Sequence, residues 1–149
     1  MHLVRNAVDH GIESSDDRER QGKPAAGALG LAAAVEAGTL AVTITDDGRG
    51  VDWARVAEKA AERGLPHRSQ AELTQALFAD GLSTRDVASA ISGRGIGLAA
   101  VREAVLALGG TISVSSVAGE GTQFRIVLPM TWESPSASDA SSSPAFAKA

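Results

Sequence analysis

Apolar residues recur three and four positions apart in two parts of the chain, which is the spacing of a helix with one buried face. The first set is Leu3, Val4, Ala7 and Val8. The second set is Leu98, Val101, Val105 and Leu108. Gly11 follows the first set and Gly109–Gly110 follows the second, and glycine commonly ends a helix. The pattern therefore predicts an N-terminal helix and an amphipathic helix that ends before Gly109.

Capping residues predict further helices between these two. Ser14 or Ser15, followed by acidic residues, predicts a short helix that ends near Gln21. Asp52 stands where it can cap a helix over 52–63. A shorter helix over 70–78 is followed by residues 79–94, which lack periodicity. We expect a loop there that is long enough to carry function.

Alternation of apolar and polar residues, typical of half-buried strands, predicts two hairpins. The first pairs residues 28–37 with 39–46 and turns at Ala37–Gly38. The second pairs residues 111–117 with 122–130. The apolar face of its second strand carries Phe124, Ile126 and Leu128.

The order of elements predicts an α+β fold, a two-layer sandwich with helices on one face of a mixed, mostly antiparallel sheet. It lacks the strict β-α-β alternation of a Rossmann fold. Residues 1–131 form the predicted domain. Residues 132–149 are mostly Ser, Ala and Pro, a composition that predicts a disordered tail.

Composition narrows the classes of function. The 149 residues are 44% hydrophobic and contain no Cys, which excludes disulfides, thiolate zinc sites and a cysteine nucleophile. A net charge of -4 and only 3% aromatic residues argue against a nucleic-acid binder. The chain shows neither a long apolar run nor a signal peptide, so we expect a cytoplasmic protein without a membrane span.

The first candidate site is His2-x-x-x-Asn6-x-x-Asp9-His10. On an α-helix positions 2, 6 and 9 share one face. An amide oxygen beside a carboxylate can complete the shell of a magnesium ion that already holds phosphate oxygens. A solvated polar face on a surface helix is the alternative interpretation of this segment alone.

The second candidate site is Asp46-Asp47-Gly48-Arg49-Gly50, at the end of a predicted strand. A carboxylate there can accept a hydrogen bond from an exocyclic amine, and glycine lets the backbone approach a ring. By itself the segment also fits an ordinary turn, because Asp-Gly is a common turn dipeptide.

Three further glycine-rich segments follow: Gly81-Leu82-Ser83-Thr84, Gly93-Arg94-Gly95-Ile96-Gly97 and Gly119-Glu120-Gly121-Thr122. Glycines that open a helix expose backbone N–H groups to an anion such as phosphate. Taken singly, the first also fits a flexible connection and the last a hairpin turn. The middle segment follows no predicted strand and lacks Gly-Lys-Ser/Thr, which excludes the dinucleotide fingerprint and the P-loop.

The order of these five motifs resembles the ATP-binding domain of the superfamily that contains gyrase, Hsp90, histidine kinases and MutL, the GHKL or Bergerat fold. The segments HLVRNAVDHGIE, QGKP, DDGRGVD, GLST, SGRGIGL and LPMT resemble the catalytic domain of CheA-type chemotaxis sensor kinases. The resemblance covers residues 2–131.

The resemblance implies a role for each matched position. Asn6 would hold Mg²⁺, and ATP would be the nucleotide. The positions matching those around the phosphates and ribose are His2, Arg5, Asp9 and His10. The positions matching the adenine end are Asp46, Gly48, Gly50 and Thr122. The lid, 81–92, includes Ser83 and Thr84, and the phosphate-side glycine box includes Gly93, Arg94, Gly95 and Gly97.

One position separates kinases from ATPases in this superfamily. Hydrolysing members carry a Glu four residues before the Asn, as general base for water, and this chain has His2. The resemblance therefore implies a histidine kinase, with a histidine phosphotransfer domain and a response regulator as partners. It also implies a dimeric kinase core and a coupling protein.

Several features depart from the family pattern. The family domain has a strand and the first turns of a helix before the Asn box, so we expect a domain truncated at its N-terminus. Leu82 replaces the usual Phe of the lid motif, and Leu98-Ala99 replaces Met-Asp. A catalytically inert module that binds nucleotide or a partner is one alternative function. A GHKL ATPase is another.

Overall fold

A computed structural model describes residues 2–79, 82 and 97–130. The chain begins with α1 (His2–Asn6), which widens into a π-helical turn over Ala7–Gly11. The other helices are α2 (Ser15–Arg20), α3 (Trp53–Glu62), α4 (Gln70–Leu77) and α5 (Leu98–Ala107). The strands are β1 (Leu29–Glu36), β2 (Thr39–Asp46), β3 (Thr111–Val117) and β4 (Gly121–Pro129).

The four strands form one sheet in the order β1-β2-β4-β3. Each pairing among the described strands is antiparallel. The two hairpins therefore meet through β2 and β4, the second strand of each. The predicted α+β fold, with helices on a mostly antiparallel sheet, is confirmed.

Local chemistry explains where the elements begin and end. Ser14 accepts a hydrogen bond from the Asp17 N–H, and Asp52 accepts one from the Arg55 N–H, as expected for helix N-caps. The hairpin between β1 and β2 turns at Ala37 and Gly38, with φ of 46° and 77°. Two positive φ angles mark the turn type that matches the twist of paired strands.

One sheet face carries the core. Successive residues of a strand point to opposite faces, so the paired positions align in rows across the sheet. One apolar row runs Leu31, Ile44, Phe124 and Val114. The next is Ala33, Val42, Ile126 and Ile112. Leu3 of α1 and Phe78 pack on this face, where the Phe78 and Phe124 rings meet edge to face at 6.5 Å.

A second apolar cluster joins α3 and α4. Its buried members are Val56, Ala60, Ala76, Leu77 and Leu82. Leu98 and Val114 pack against it, which connects it to α5 and the sheet. β1 differs from the other strands, because its residues, including Leu31 and Val35, are exposed. No helix among the described residues is long and apolar enough to cross a bilayer.

Candidate nucleotide site

The row of side chains that contains Asp46 is polar on the face where the neighbouring rows are apolar. Asp46 ends β2 and pairs with Thr122 of β4, which pairs with Ser116 of β3. All three side chains therefore lie on the helix-facing side of the sheet, at its end. The predicted adenine residues Asp46 and Thr122 are brought together there.

Hydrogen bonds fix this polar row. The Ser116 hydroxyl donates to the Gly121 carbonyl at 2.8 Å and lies 3.2 Å from the Thr122 hydroxyl. It also accepts from the Val51 N–H at 2.8 Å. Ser116 thus links the second hairpin to the chain that leaves the Asp46 turn. Sequence reasoning missed Ser116, since serine on a strand gives no signal of its own.

The Asp46 carboxylate is half-buried and already holds one backbone donor. The Gly48 N–H donates to Asp46 Oδ1 at 3.0 Å. Burial raises the pKa of Asp46, although hydrogen bonds from the Gly48 and Thr122 N–H groups oppose the shift. The carboxylates of Asp47 and Glu13 add to the rise.

Close backbone approach explains two of the predicted glycines. A Cβ on Gly48 would collide with the Gly11 carbonyl and lie 2.9 Å from Asp46 Oδ1. Gly50 has φ of +76°, and a Cβ there would collide with the Val117 carbonyl. Both positions therefore require glycine for packing, and Gly50 requires it for its conformation as well.

Gly11 joins the first motif to the Asp46 turn. Its carbonyl accepts the Arg49 N–H at 2.8 Å, and a Cβ on it would lie 3.2 Å from Asp46 Oδ1. The π-helical turn that ends at Gly11 packs against β4. The N-terminal helix and the adenine-end residues are therefore parts of one structural unit.

The N-terminal motif is not one regular α-helix. The Ile12 N–H donates to the Ala7 carbonyl at 2.8 Å, five residues back, so the chain widens after Asn6. The α-helical spacing that would align Asn6 with Asp9 does not extend past Ala7. Asn6 is half-buried, whereas Arg5, Asp9 and His10 are exposed.

Gly97 is the described member of the phosphate-side glycine box. It precedes α5 directly, with φ of −81° and ψ of −174°, and its carbonyl accepts the N–H groups of Ala100 and Val101. The remaining members of the box, Gly93, Arg94 and Gly95, lie outside the described residues. So do the lid residues Ser83 and Thr84 and the side chain of His2.

A partly buried ionic cluster behind the turn was missed by sequence reasoning. It consists of Glu13, Arg18, Lys23 and Asp47. The hydrogen bond from Arg18 holds the pKa of Asp47 below its usual value. Burial alone would raise the pKa of Glu13, but the hydrogen bond from Lys23, a backbone hydrogen bond and the charges of Lys23 and Arg18 together lower the pKa. The segment over residues 12–27 is polar, a composition typical of solvated chain, so its buried ion pairs were not predicted.

Comparison with known proteins supports the resemblance. Residues 1–131 match the family described as histidine kinase-, DNA gyrase B- and HSP90-like ATPase. The chain is 46% identical to the chemotaxis protein CheA of Treponema pallidum, over 88% of this chain and 17% of that protein. It is 44% identical to the chemotaxis protein CheA of Cereibacter sphaeroides, over 87% and 20% respectively. The chain thus spans about a fifth of the length of these relatives.

Solved structures agree at the level of the fold. The blue-light activated histidine kinase of Erythrobacter litoralis EL346 matches 87% of this chain and 27% of its own, with 23% identity and a TM-score of 0.50. Together with the family match, this confirms the GHKL fold expected from the motifs. The chain belongs to the histidine kinase-, DNA gyrase B- and HSP90-like ATPase family, as a CheA-like histidine kinase ATPase domain.

Proposed function

We propose that the domain, residues 1–131, binds ATP with its adenine on the Asp46 carboxylate and transfers the γ-phosphoryl group to a histidine of a separate phosphotransfer domain. The observation that carries the nucleotide site is the position of Asp46. Its half-buried carboxylate lies at a strand end, beside the glycine backbone of Gly48 and Gly11 and directly opposite Thr122. A carboxylate so placed accepts the exocyclic amine of adenine.

Asn6, at the end of α1, is the proposed Mg²⁺ ligand. Its half-buried amide forms no hydrogen bond within the described residues, so its oxygen is available. The described residues hold no group of three or more His, Asp or Glu side chains that could bind a metal by themselves. This fits an ion that takes most of its ligands from ATP oxygens, whose charge it would neutralise during transfer.

The residue four positions before Asn6 favours a kinase over an ATPase. A Glu there would act as general base for water, and His2 lacks that carboxylate. In the proposed reaction a ring nitrogen of the acceptor histidine attacks the γ-phosphorus, the bond to the β–γ bridging oxygen breaks, and ADP leaves. We propose that Arg5, Asp9, His10 and the glycine box with Arg94 hold the phosphates and ribose, and that Ser83 and Thr84 belong to a lid.

The proposed partners are the phosphotransfer domain and, downstream of it, a response regulator. We propose also a dimeric kinase core and a coupling protein as partners, by analogy with the CheA proteins that the chain is similar to.

Transfer is tested by incubating the full chain with Mg²⁺, γ-labelled ATP and a histidine phosphotransfer domain from a CheA protein. We expect acid-labile label on the added domain and none on its His→Gln variant. ATP binding without label on the acceptor would contradict a kinase and indicate an inert nucleotide-binding module. Steady phosphate release without acceptor would indicate an ATPase.

A further inference from the structure

Arg18 of α2 is fully buried, and both of its Nη atoms donate to Asp47 in the Asp46 turn. Its Nη2 donates to Asp47 Oδ2 at 2.7 Å, and its Nη1 donates to the Asp47 carbonyl and to Glu13 Oε2, both at 3.2 Å. Its Nε donates to the Pro24 carbonyl at 2.7 Å. A buried guanidinium is tolerated only when paired in this way.

Lys23 holds the same turn from the next segment. Its ammonium group donates to the Asp47 carbonyl, the Gly48 carbonyl and Glu13 Oε1, each at 2.9 Å. These three bonds use all three donors of the ammonium group. Glu13 lies between the two cations and keeps both in place. Two consecutive carbonyls of the turn are therefore directed toward Lys23.

The direction of the Asp47 carbonyl decides the direction of the next N–H. The described peptide bonds are trans, and in a trans peptide the C=O and the following N–H point opposite ways. Holding the Asp47 carbonyl on the Arg18 and Lys23 side therefore turns the Gly48 N–H away from it. That N–H donates to Asp46 Oδ1, which orients the carboxylate.

We propose that Arg18 and Lys23 are positioning residues that set the preference of this site for adenine over guanine. They act through the Asp47–Gly48 peptide on the Asp46 carboxylate. The inference rests on the proposed function, since it takes Asp46 as the contact to the base.

The difference between adenine and guanine explains why the orientation of the Asp46 carboxylate affects selectivity. Adenine presents an amino donor at the position where guanine presents a carbonyl oxygen. A carboxylate held in one orientation accepts from the first and repels the second. When the Gly48 N–H no longer holds Oδ1, the carboxylate can rotate and the discrimination weakens. Loss of ADP affinity should then exceed loss of GDP affinity.

The experiment compares ADP and GDP binding by calorimetry, with Mg²⁺ present, for the full chain and its variants. Lys23→Met removes the ammonium group and keeps a side chain that reaches as far as Cε of Lys, whereas Arg18→Met removes the guanidinium and leaves a side chain that ends where Nε stood. The matched control is Arg20→Met, on the same helix, because the Arg20 side chain is 73% exposed and pairs with Asp17 at the surface. Thermal melts show which variants fold.

We expect Lys23→Met to lower the ratio of ADP to GDP affinity at least about tenfold, because a charge-assisted hydrogen bond to adenine is lost. Arg20→Met should keep the wild-type ratio. If Arg18→Met does not fold, Lys23→Met, whose side chain is 17% exposed, carries the test. Equal weakening of ADP and GDP, or no change in the ratio, would show a merely structural role and overturn the inference.

The ADP and GDP affinities of wild type and Asp46→Asn distinguish a failure of this inference from a failure of the proposed nucleotide site. If wild type prefers ADP and Asp46→Asn does not, Asp46 is supported as the contact to the base. The result for Lys23→Met then tests the role of Arg18 and Lys23 by itself. If wild type shows no preference, or Asp46→Asn keeps it, the assignment of Asp46 is wrong and the inference falls with it.

Discussion

Asp46 and Thr122 lie directly opposite each other, at the ends of the two strands that join the hairpins. The same register places Ser116 next to Thr122. The core rows of the sheet therefore end in a polar row at the point where the Asp46 turn begins. The second hairpin supports the site through this row, although its residues are far from Asp46 in sequence.

Removing the Ser116 hydroxyl should weaken the junction between the hairpins. In Ser116→Ala the Val51 N–H loses its acceptor, and an unpaired, partly buried N–H costs about 1–3 kcal/mol. Urea unfolding should show a loss of free energy in that range. Ser115→Ala is the control, since Ser115 is exposed on the opposite face and should change little. Equal effects of both variants would contradict the role given to Ser116.

Gly48→Ala should damage both stability and nucleotide binding. The added Cβ would press on the Gly11 backbone and on Asp46 Oδ1, so the turn must open. Gly119→Ala is the matched control, because Gly119 has φ of +80° but a Cβ there would meet no described atom within 4 Å. The control should lose about 1–2 kcal/mol from backbone strain alone. Melting and ATP titration measure both effects, and wild-type ATP affinity in Gly48→Ala would argue against this packing.

ATP binding should weaken on acidification, and the weakening should begin at a higher pH than it would if Asp46 had the ordinary pKa of an aspartate. In the proposed site the amine of adenine needs the ionised Asp46, and burial raises the pKa of this carboxyl, with Asp47 and Glu13 adding to the shift. We expect the ratio of wild-type to Asp46→Asn affinity to fall as the pH is lowered through the range just above the ordinary pKa of Asp. The ratio removes the titration of the phosphates, which both proteins share. A ratio constant over this range would contradict the prediction.

Asp47 should stabilise the fold at neutral pH and lose that contribution in acid. Arg18 lowers its pKa below the ordinary value of 3.8, so folding favours the ionised form. The contribution is full above the unfolded pKa and disappears as the pH falls through the lower folded pKa. Asp47→Asn should therefore be less stable than wild type at pH 7, with a difference that narrows below about pH 4. Denaturant unfolding at several pH values measures this, and a constant difference would be inconsistent with it.

Most elements of the fold could be predicted because their signals are local. The caps Ser14 and Asp52 and the turn at Ala37–Gly38 depend on neighbours within a few residues. The pairing of β2 with β4 depends on residues about 80 positions apart, which periodicity cannot relate. The sequence analysis therefore predicted the two hairpins but not the pairing that joins them.

The site was predicted less completely than the fold. The motifs pointed to Asp46, Gly48 and Thr122, which the structure brings together. Arg18 was missed because a charged residue in a polar segment predicts exposure, and its burial depends on partners from three separate segments. The π-helical turn was missed because the apolar spacing before it is that of an ordinary helix.

That Asp46 selects the adenine of ATP is tested most directly by isothermal titration calorimetry of ATP with wild type and Asp46→Asn. Loss of a charge-assisted hydrogen bond of about 1.5–3 kcal/mol predicts an affinity roughly 10- to 100-fold weaker, with the melting temperature nearly unchanged. Asp16→Asn, an exposed position on α2, should bind like wild type. Equal ATP affinity of Asp46→Asn and wild type would contradict the assignment of the site.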